Sequence, residues 1–386
     1  MSSPTHGQKL RKINKAGFLR LNEIYLYISS AVLGFGAAIL WTGQGTYLSQ
    51  NSTEKTSGRN SALLWALSEA SLTAGGVFLF AVFHSSQTTD NIPTSTVRIL
   101  YGVFTALSCL AALTFVLLRP SGARKADLEK RQYGALIGST FRLMFSKRMF
   151  LLAFVFAYTG IEQAFWTGIY PTCISFTQAL GSNTNSLLAL NSISAGVGQI
   201  AAGLIFGILG DRTSKIGRDA IIFLGAVVHL IAFILIFMNF PDDAPLQKTT
   251  GSGGLINPSV AIALICGGLL GFGDACWNTQ IYAFLCDGFA DKSSEAFALF
   301  KFYQSALSCA VFFYSSLLKL SWHLLIMLVT SVFAAICFFL NERFISTSRL
   351  TELHDRGSLP QLDGRPETIS SASKQATVQI TSLKET

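Results

Sequence analysis

The sequence predicts an all-α membrane protein, a bundle of about nine transmembrane helices. Half of the 386 residues are hydrophobic and only 13% are charged, where soluble domains carry roughly 25%. The mean hydropathy is +0.46. The apolar residues form continuous runs of the length, about 20 residues, that crosses a bilayer as a helix. They do not alternate with the period of two that a barrel strand requires. In lipid the backbone has no water to bond, and a helix satisfies its N–H and C=O groups locally.

The runs lie near 25–44, 60–84, 98–118, 149–170, 185–210, 219–240, 257–285, 295–318 and 320–340. The first begins too far from the N-terminus, and is too long, for a cleaved signal peptide, so the first span is expected to be its own insertion signal. The seven cysteines (109, 173, 266, 276, 286, 309 and 337) sit in or beside these runs. They lack C-x-x-C spacing and a histidine partner. They read as small apolar residues, with no disulfide framework and no metal site.

Charge sets the expected orientation. Residues 119–148 carry eight Lys or Arg, and 211–218 carry Arg212, Lys215 and Arg218. The stretch 171–184 has none, and 241–256 has only Lys248. Short basic loops stay in the cytosol, so the first two face the cytosol and the last two the lumen or exterior. The excess of basic residues flanks spans and has no fold to present it to nucleic acid, so no nucleic-acid partner is expected. The N-terminal tail, with Lys9, Arg11, Lys12, Lys15 and Arg20, conflicts with this order. It should be cytosolic, yet three spans separate it from the cytosolic 119–148. Either one span does not cross fully, or helices that normally precede the chain are lacking.

Five segments follow: a basic tail (1–24), a three-helix remnant (25–118), a basic cytosolic loop (119–148), a six-helix half (149–340) and a polar, disordered cytosolic tail (341–386). Three helices plus six, split by a long basic loop, suggest the six-plus-six plan of the major facilitator superfamily. The run Gly207-Ile-Leu-Gly-Asp211-Arg212-Thr-Ser-Lys-Ile-Gly217-Arg218 resembles that superfamily's cytosolic signature and falls at the corresponding place. Asp211, Arg212 and Arg218 are therefore candidates for a conformational latch, a carboxylate at a helix end pairing with arginine across the bundle. The alternative is a plain Gly/Asp/Arg turn with cytosolic positive charge.

Further runs narrow the resemblance. Trp41-Thr-Gly-Gln44-Gly45, Gly58-Arg59-Asn60-Ser61, Trp65-Ala-Leu, Tyr158-Thr-Gly160-x-Glu162, Gly271-Phe-Gly273-Asp274-Ala-Cys-Trp277-Asn278-Thr-Gln280 and Ala296-Phe-Ala-Leu-Phe-Lys301-Phe302 occur in order between about 25 and 340. Together they resemble the UNC-93-like branch of the superfamily, nearest its ubiquitous members named for a major facilitator domain. In that branch the Trp-Thr-Gly-Gln-Gly run ends the fourth helix. The resemblance thus implies that three helices are missing in front, as in a shortened isoform, an alternative-start product or an incomplete gene model.

Charged groups inside spans are costly, about 2.5–3.5 kcal/mol at the bilayer centre, and often mark a pathway. Glu69, Glu162, Asp274 and, near a span end, Asp287 qualify. Tyr158, Glu162 and Trp166 recur at four-residue spacing and share a helix face, as do Asp274 and Asn278. Gln280 points elsewhere. The functional reading is a polar cavity lined by Glu69, Glu162, Asp274 and Asn278 with aromatic walls from Trp166 and Trp277, able to hold a small polar solute or a proton. The structural reading is that these groups pair within the bundle, for about 0.6 kcal/mol each. No basic residue is expected beside the carboxyls. His229 and His323 read as satisfied core histidines. Gln199 joins Ser192, Gly196 and Gly203 on a small-residue face. Gly203-x-x-x-Gly207 and Gly267-x-x-x-Gly271 favour close helix packing, with a bend before Asp274 as the alternative.

No Ser/His/Asp set, H-E-x-x-H or nucleophile elbow is present, so the chain is read as a non-enzyme with no catalytic residue, cofactor or metal. Its partners are the lipid bilayer and other membrane proteins (a channel or a receptor) or a second copy of itself. The resemblance implies a regulator or trafficking partner, since members of the branch are linked to a potassium channel and to Toll-like receptors. The alternative is secondary transport of a small solute. With three spans before the central loop, half of an alternating-access gate is incomplete, which weights the regulatory role. Plasma and endolysosomal membranes suit the span lengths equally. Asn51-Ser52-Thr53 is a glycosylation sequon on a connection expected in the cytosol. Asn51 should remain unmodified, and a mobility shift on glycosidase treatment would contradict the topology.

Overall fold

The computed structural model describes residues 23–85, 94–117, 133–210, 216–251 and 254–358. The expected helical bundle is present: α1 (Glu23–Gln50), α2 (Ser57–Ser85), α3 (Thr94–Leu117), α4 (Tyr133–Met144), α5 (Lys147–Ala164), α6 (Tyr170–Phe176), α7 (Thr184–Ile208), α8 (Arg218–Asn239), α9 (Val260–Gly288), α10 (Ser293–Tyr314) and α11 (Leu320–Ser358). Residues 1–342 form one unit and 343–386 a second, helical as far as Ser358.

Eight stretches among the described residues are long and apolar enough to cross a membrane. They match eight of the nine expected spans to within a few residues. The ninth, α1, is a continuous helix of 28 residues that is not among the eight. Its residues from Ile24 to Trp41 are uncharged and mostly apolar, and Thr42, Gln44, Thr46, Ser49 and Gln50 make its C-terminal end polar. Two further expectations need correction. The stretch 119–148 is not all loop, because 133–144 is α4, whose Ser139 hydroxyl donates to Glu295 at 2.9 Å. The polar tail expected from 341 is helical to Ser358.

Helix α9 is the axis of the bundle. It touches α1, α2, α5, α7, α8 and α10, and it is buried without a break from Gly273 to Cys286. Its glycines explain how so many helices reach it. A Cβ on Gly271 would strike the Ala195 carbonyl of α7, one on Gly267 the Asn191 amide, and one on Gly273 the His229 ring of α8. From the other side, a Cβ on Gly198 would strike the Gly268 carbonyl. Two small-residue stripes thus bring the backbones of α7 and α9 into contact, as small residues do where lipid removes the hydrophobic drive to associate. Ser194 Oγ seals the seam by donating to the Leu264 carbonyl at 2.6 Å. Close packing is therefore the role of these glycines, and α9 does not unwind.

A second stripe on α7 faces α2. A Cβ on Gly196 would meet Thr73, one on Gly203 Ala62 and Ala66, and one on Gly207 Leu63. Gln199, on the same face, accepts from Trp65 Nε1 at 2.9 Å. Helix α5 packs on α10 likewise, with Gly160 against the Gln304 carbonyl and Ser308 Oγ donating to the Gly160 carbonyl at 2.7 Å. Between α5 and α6 the helix widens into a π turn, Phe165–Ile169. Pro171 follows at once. It has no N–H to donate, and its ring would crowd the carbonyl one turn back, so the wider turn relieves an interior proline.

Each end of the bundle is tied. At the end expected to face the cytosol, Arg218 pairs with Asp287 at 2.8 Å and Glu342 at 2.6 Å. Ser57 Oγ also donates to Asp287 at 2.8 Å, joining α2, α8, α9 and α11. At the other end, the loop after α8 accepts from the start of α11: Asp242 takes Leu320 N–H at 2.9 Å and Ser321 N–H at 2.8 Å. An isolated bridge joins Thr177 and Thr249.

A glycine whose Cβ would meet backbone cannot be relieved by a rotamer change, and overpacking of this kind costs at least about 1–3 kcal/mol. Gly271→Val should therefore abolish the monodisperse species in detergent chromatography. Gly102→Val on α3, where nothing lies within 4 Å, should leave it intact.

Candidate functional site: a central polar cavity

A cavity of about 770 Å³ lies between α1, α2, α5, α9 and α10, within the range usual for small-ligand sites. Helix α9 supplies Asp274 and Asn278, α2 supplies Trp65 and Glu69, and the α5 segment supplies Gln163 and Trp166. Helix α1 adds Trp41, and α10 adds Lys301 and Gln304. A second hollow of about 860 Å³ shares Gly34, Gln163, Thr167 and Ser305 with it.

The polar side chains are joined across helices. Asn278 Nδ2 donates to the Asp274 carboxylate at 2.8 Å, so these two share a face as their spacing predicts. The Glu162 and Asp274 carboxyls adjoin, and Asp274 also lies within charge range of Glu69 and of Lys301. Lys301 Nζ donates to Gln304 Oε1 at 2.8 Å, and Gln304 Nε2 donates to Thr159 Oγ1 at 3.3 Å. The same ammonium stands 4.4 Å from the ring centre of Phe300, 5.0 Å from Trp41 and 5.5 Å from Tyr282, an aromatic cage that attracts a cation.

Behind the cavity lies a chain of buried groups. His229 Nε2 is 3.2 Å from the Leu270 carbonyl, which can only accept, so Nε2 carries the proton and Nδ1 is the acceptor. Tyr158 Oη stands 2.5 Å from Nδ1 and donates to it. Glu162 Oε1 is 3.6 Å from His229 Nε2, too far for a hydrogen bond. His229 is thus a satisfied core histidine bound on both sides.

Of the six residues expected to form a cavity, Glu69, Trp166, Asp274 and Asn278 line it. Glu162, 1% exposed, sits behind Asp274. Trp277 is not a wall: it packs on Tyr158, ring centres 4.7 Å apart, and its indole edge lies near Gly225 of α8. A helix position beside the cavity-facing one points about 100° away, which separates Trp277 from Asn278. Asp287 belongs to the Arg218 ion pairs at the bundle end. Of the latch candidates, Arg218 is engaged there, while Asp211 and Arg212 lie outside the described residues.

The main omission is Lys301. No basic residue was expected beside the carboxyls, yet its ammonium lies within charge range of Asp274 and donates to Gln304 inside the aromatic cage. The signal was available, since a lysine within an apolar run is as costly as a carboxylate. Trp41, Trp65 and Gln304 had no such signal, because their approach depends on how α1, α2 and α10 pack around α9.

Comparison with known proteins bears on this arrangement. A profile of the family described as "Ion channel regulatory protein UNC-93" matches residues 7–339. The "UNC93-like protein MFSD11" of Xenopus laevis is 35% identical over 336 residues, covering 82% of this chain and 75% of that protein. The "Protein unc-93 homolog A" of Homo sapiens is 25% identical over 345 residues, covering 78% and 70%. The "UNC93-like protein 3" of Arabidopsis thaliana is 29% identical over 330 residues, covering 78% and 64%. The match runs from the basic tail through the span of α11 and includes every residue of the cavity: the chain belongs to the UNC-93 family, a branch of the major facilitator superfamily.

Proposed function

We propose that this chain is a regulator or trafficking partner of other membrane proteins, a channel or a receptor, acting from within the bilayer. The observation that carries this reading is the family match, whose description is of an ion channel regulatory protein. The fold supplies a surface for it. Helix α3 meets α2 through Phe78 and Phe104, ring centres 6.0 Å apart. It leaves Ile99, Leu107, Leu110, Leu113 and Val116 outward, open to lipid, to a partner's helix or to a second copy. In this reading the three helices of 25–118 and the six of 149–340 are the two halves of the bundle. Arg218, with Asp211 and Arg212, holds them in one state, and the membrane is plasma or endolysosomal.

A second reading, secondary transport of a small solute by alternating access, is favoured by the central cavity. Its acidic groups and Lys301 are charges kept within the spans at a cost of about 2.5–3.5 kcal/mol each. Groups that only join helices contribute about 0.6 kcal/mol apiece, so the cavity invites an explanation beyond packing.

One comparison separates the two. The purified chain is reconstituted alone in liposomes, and in parallel recovered from its native membrane with whatever membrane proteins it retains. Regulation predicts no solute uptake by the chain alone. It also predicts a stoichiometric channel or receptor partner, released when Leu107, Leu110 and Leu113 become alanine. Uptake that is lost in both Glu162→Gln and Asp274→Asn would replace that reading with transport.

A further inference from the structure

The cavity's charges and walls specify the class of solute that fits it. Two carboxyls line it, Glu69 on α2 and Asp274 on α9, and a third, Glu162, adjoins Asp274 from behind. One ammonium, Lys301, faces them; it gives one hydrogen bond to Gln304, and its charge rests against three aromatic rings. Asp274 has Asn278 and Lys301 as neighbours, whereas Glu69 makes no hydrogen bond or ion pair among the described residues. The acidic side of the cavity is therefore the under-compensated side.

A further observation points to a missing donor. Asn278, 1% exposed, lines the cavity, and its Oδ1 is buried without a hydrogen-bond partner. Its Nδ2 is held by Asp274, which fixes the amide so that Oδ1 remains the open acceptor. A buried acceptor left unsatisfied costs about 1–3 kcal/mol, so a ligand N–H or a polarised C–H next to a cationic nitrogen would relieve it. Three indoles stand among the remaining walls, beside Gln163, Thr167, Phe302 and Ser305. Trp65 is held by its Nε1–H bond to Gln199 at 2.9 Å and by edge contact with Tyr282, and Trp41 and Trp166 are the other two. Aromatic faces beside carboxylates form the usual surround of an organic ammonium. The cage around Lys301 shows that the chain already builds one cation site of this kind.

We propose that the cavity binds a small organic cation, its ammonium facing Glu69 and Asp274 beside Asn278 Oδ1, with Trp41, Trp65 and Trp166 as walls. This rests on the cavity being a solute site, whether the bound solute is carried or only sensed. About 770 Å³ accommodates an amine of a few heavy atoms with water to spare. Lys301 then sets an upper limit on the attraction: it offsets part of the acidic charge and lets the solute leave. An anionic solute would have to approach Lys301 while facing both lining carboxyls.

The experiment uses the full chain in detergent, read by tryptophan fluorescence and thermal stability, with four probes of matched shape. These are choline (cation), its neutral carbon analogue 3,3-dimethyl-1-butanol, glycine betaine (zwitterion) and 3,3-dimethylbutyrate (anion). Choline should bind and the other three should bind at least about tenfold more weakly, the size of one lost charge contact. Glu69→Gln, at a half-buried position, and Asp274→Asn should each weaken choline about tenfold. Lys301→Met should strengthen it. Binding of betaine or 3,3-dimethylbutyrate in preference to choline overturns the cation assignment but leaves a solute site. Equal binding of choline and its neutral analogue, unaffected by Glu69→Gln, also overturns it. Binding of none of the four overturns both the assignment and the solute site.

Discussion

Helices α7 and α9 approach so closely that a Cβ at Gly198 or Gly271 would strike the backbone of the facing helix. Gly198 of α7 lies against the Gly268 carbonyl, and Gly271 of α9 against the Ala195 carbonyl. This contact sets the depth at which α9 sits, and α9 carries Asp274 and Asn278. Were the two helices held apart by ordinary side chains, Asp274 would lose its place beside Glu162 of α5 and Lys301 of α10. The small-residue stripe on the opposite face of α7 receives α2 in the same way, and this sets where Trp65 and Glu69 stand. The charged cavity is thus a consequence of backbone packing as much as of the charged residues.

The cost of those charges explains the company they keep. A carboxylate in a span is unfavourable unless it has partners, and three of the four acidic groups here have their own. Asp274 has Asn278 and Lys301, Asp287 has Arg218 and Ser57, and Glu162 has the adjoining Asp274 carboxyl with His229 nearby. Glu69 has the fewest and faces open volume. Lys301 rests against aromatic faces on its apolar sides, a way to hold an ammonium in a bundle without a full salt bridge. Partnered groups build the site, and under-partnered groups mark where a ligand would act.

Much of this was legible in the sequence for definite reasons. Continuous apolar runs fix helices and their approximate ends, and three- and four-residue spacing placed Asp274 with Asn278 and Gln199 with Gly196 and Gly203. Rare intramembrane carboxyls pointed to the cavity. What was not legible depends on rotation about helix axes and on packing between distant segments. Trp277 sits next to a cavity residue yet faces away, and Trp41 reaches the cavity only because α1 packs on α10. Arg218 was expected in a latch. Its observed partners, Asp287 and Glu342, are 69 and 124 residues away in sequence, and no local pattern connects them. The helical run past residue 340 was missed because its polar composition resembles that of an unfolded tail.

The seam between α7 and α9 can be measured directly. A Cβ on Gly268 would lie 3.1 Å from Ser194 Oγ, a separation that suits a disulfide. In a chain whose native cysteines are replaced by alanine, Ser194→Cys and Gly268→Cys are introduced together with a protease site in the 241–256 loop. Mild oxidation followed by cleavage should leave the two fragments joined on a non-reducing gel, with high yield and without added linker. Fragments that separate fully under the same conditions would show that the backbones do not meet there, and would contradict the account of how Asp274 is placed.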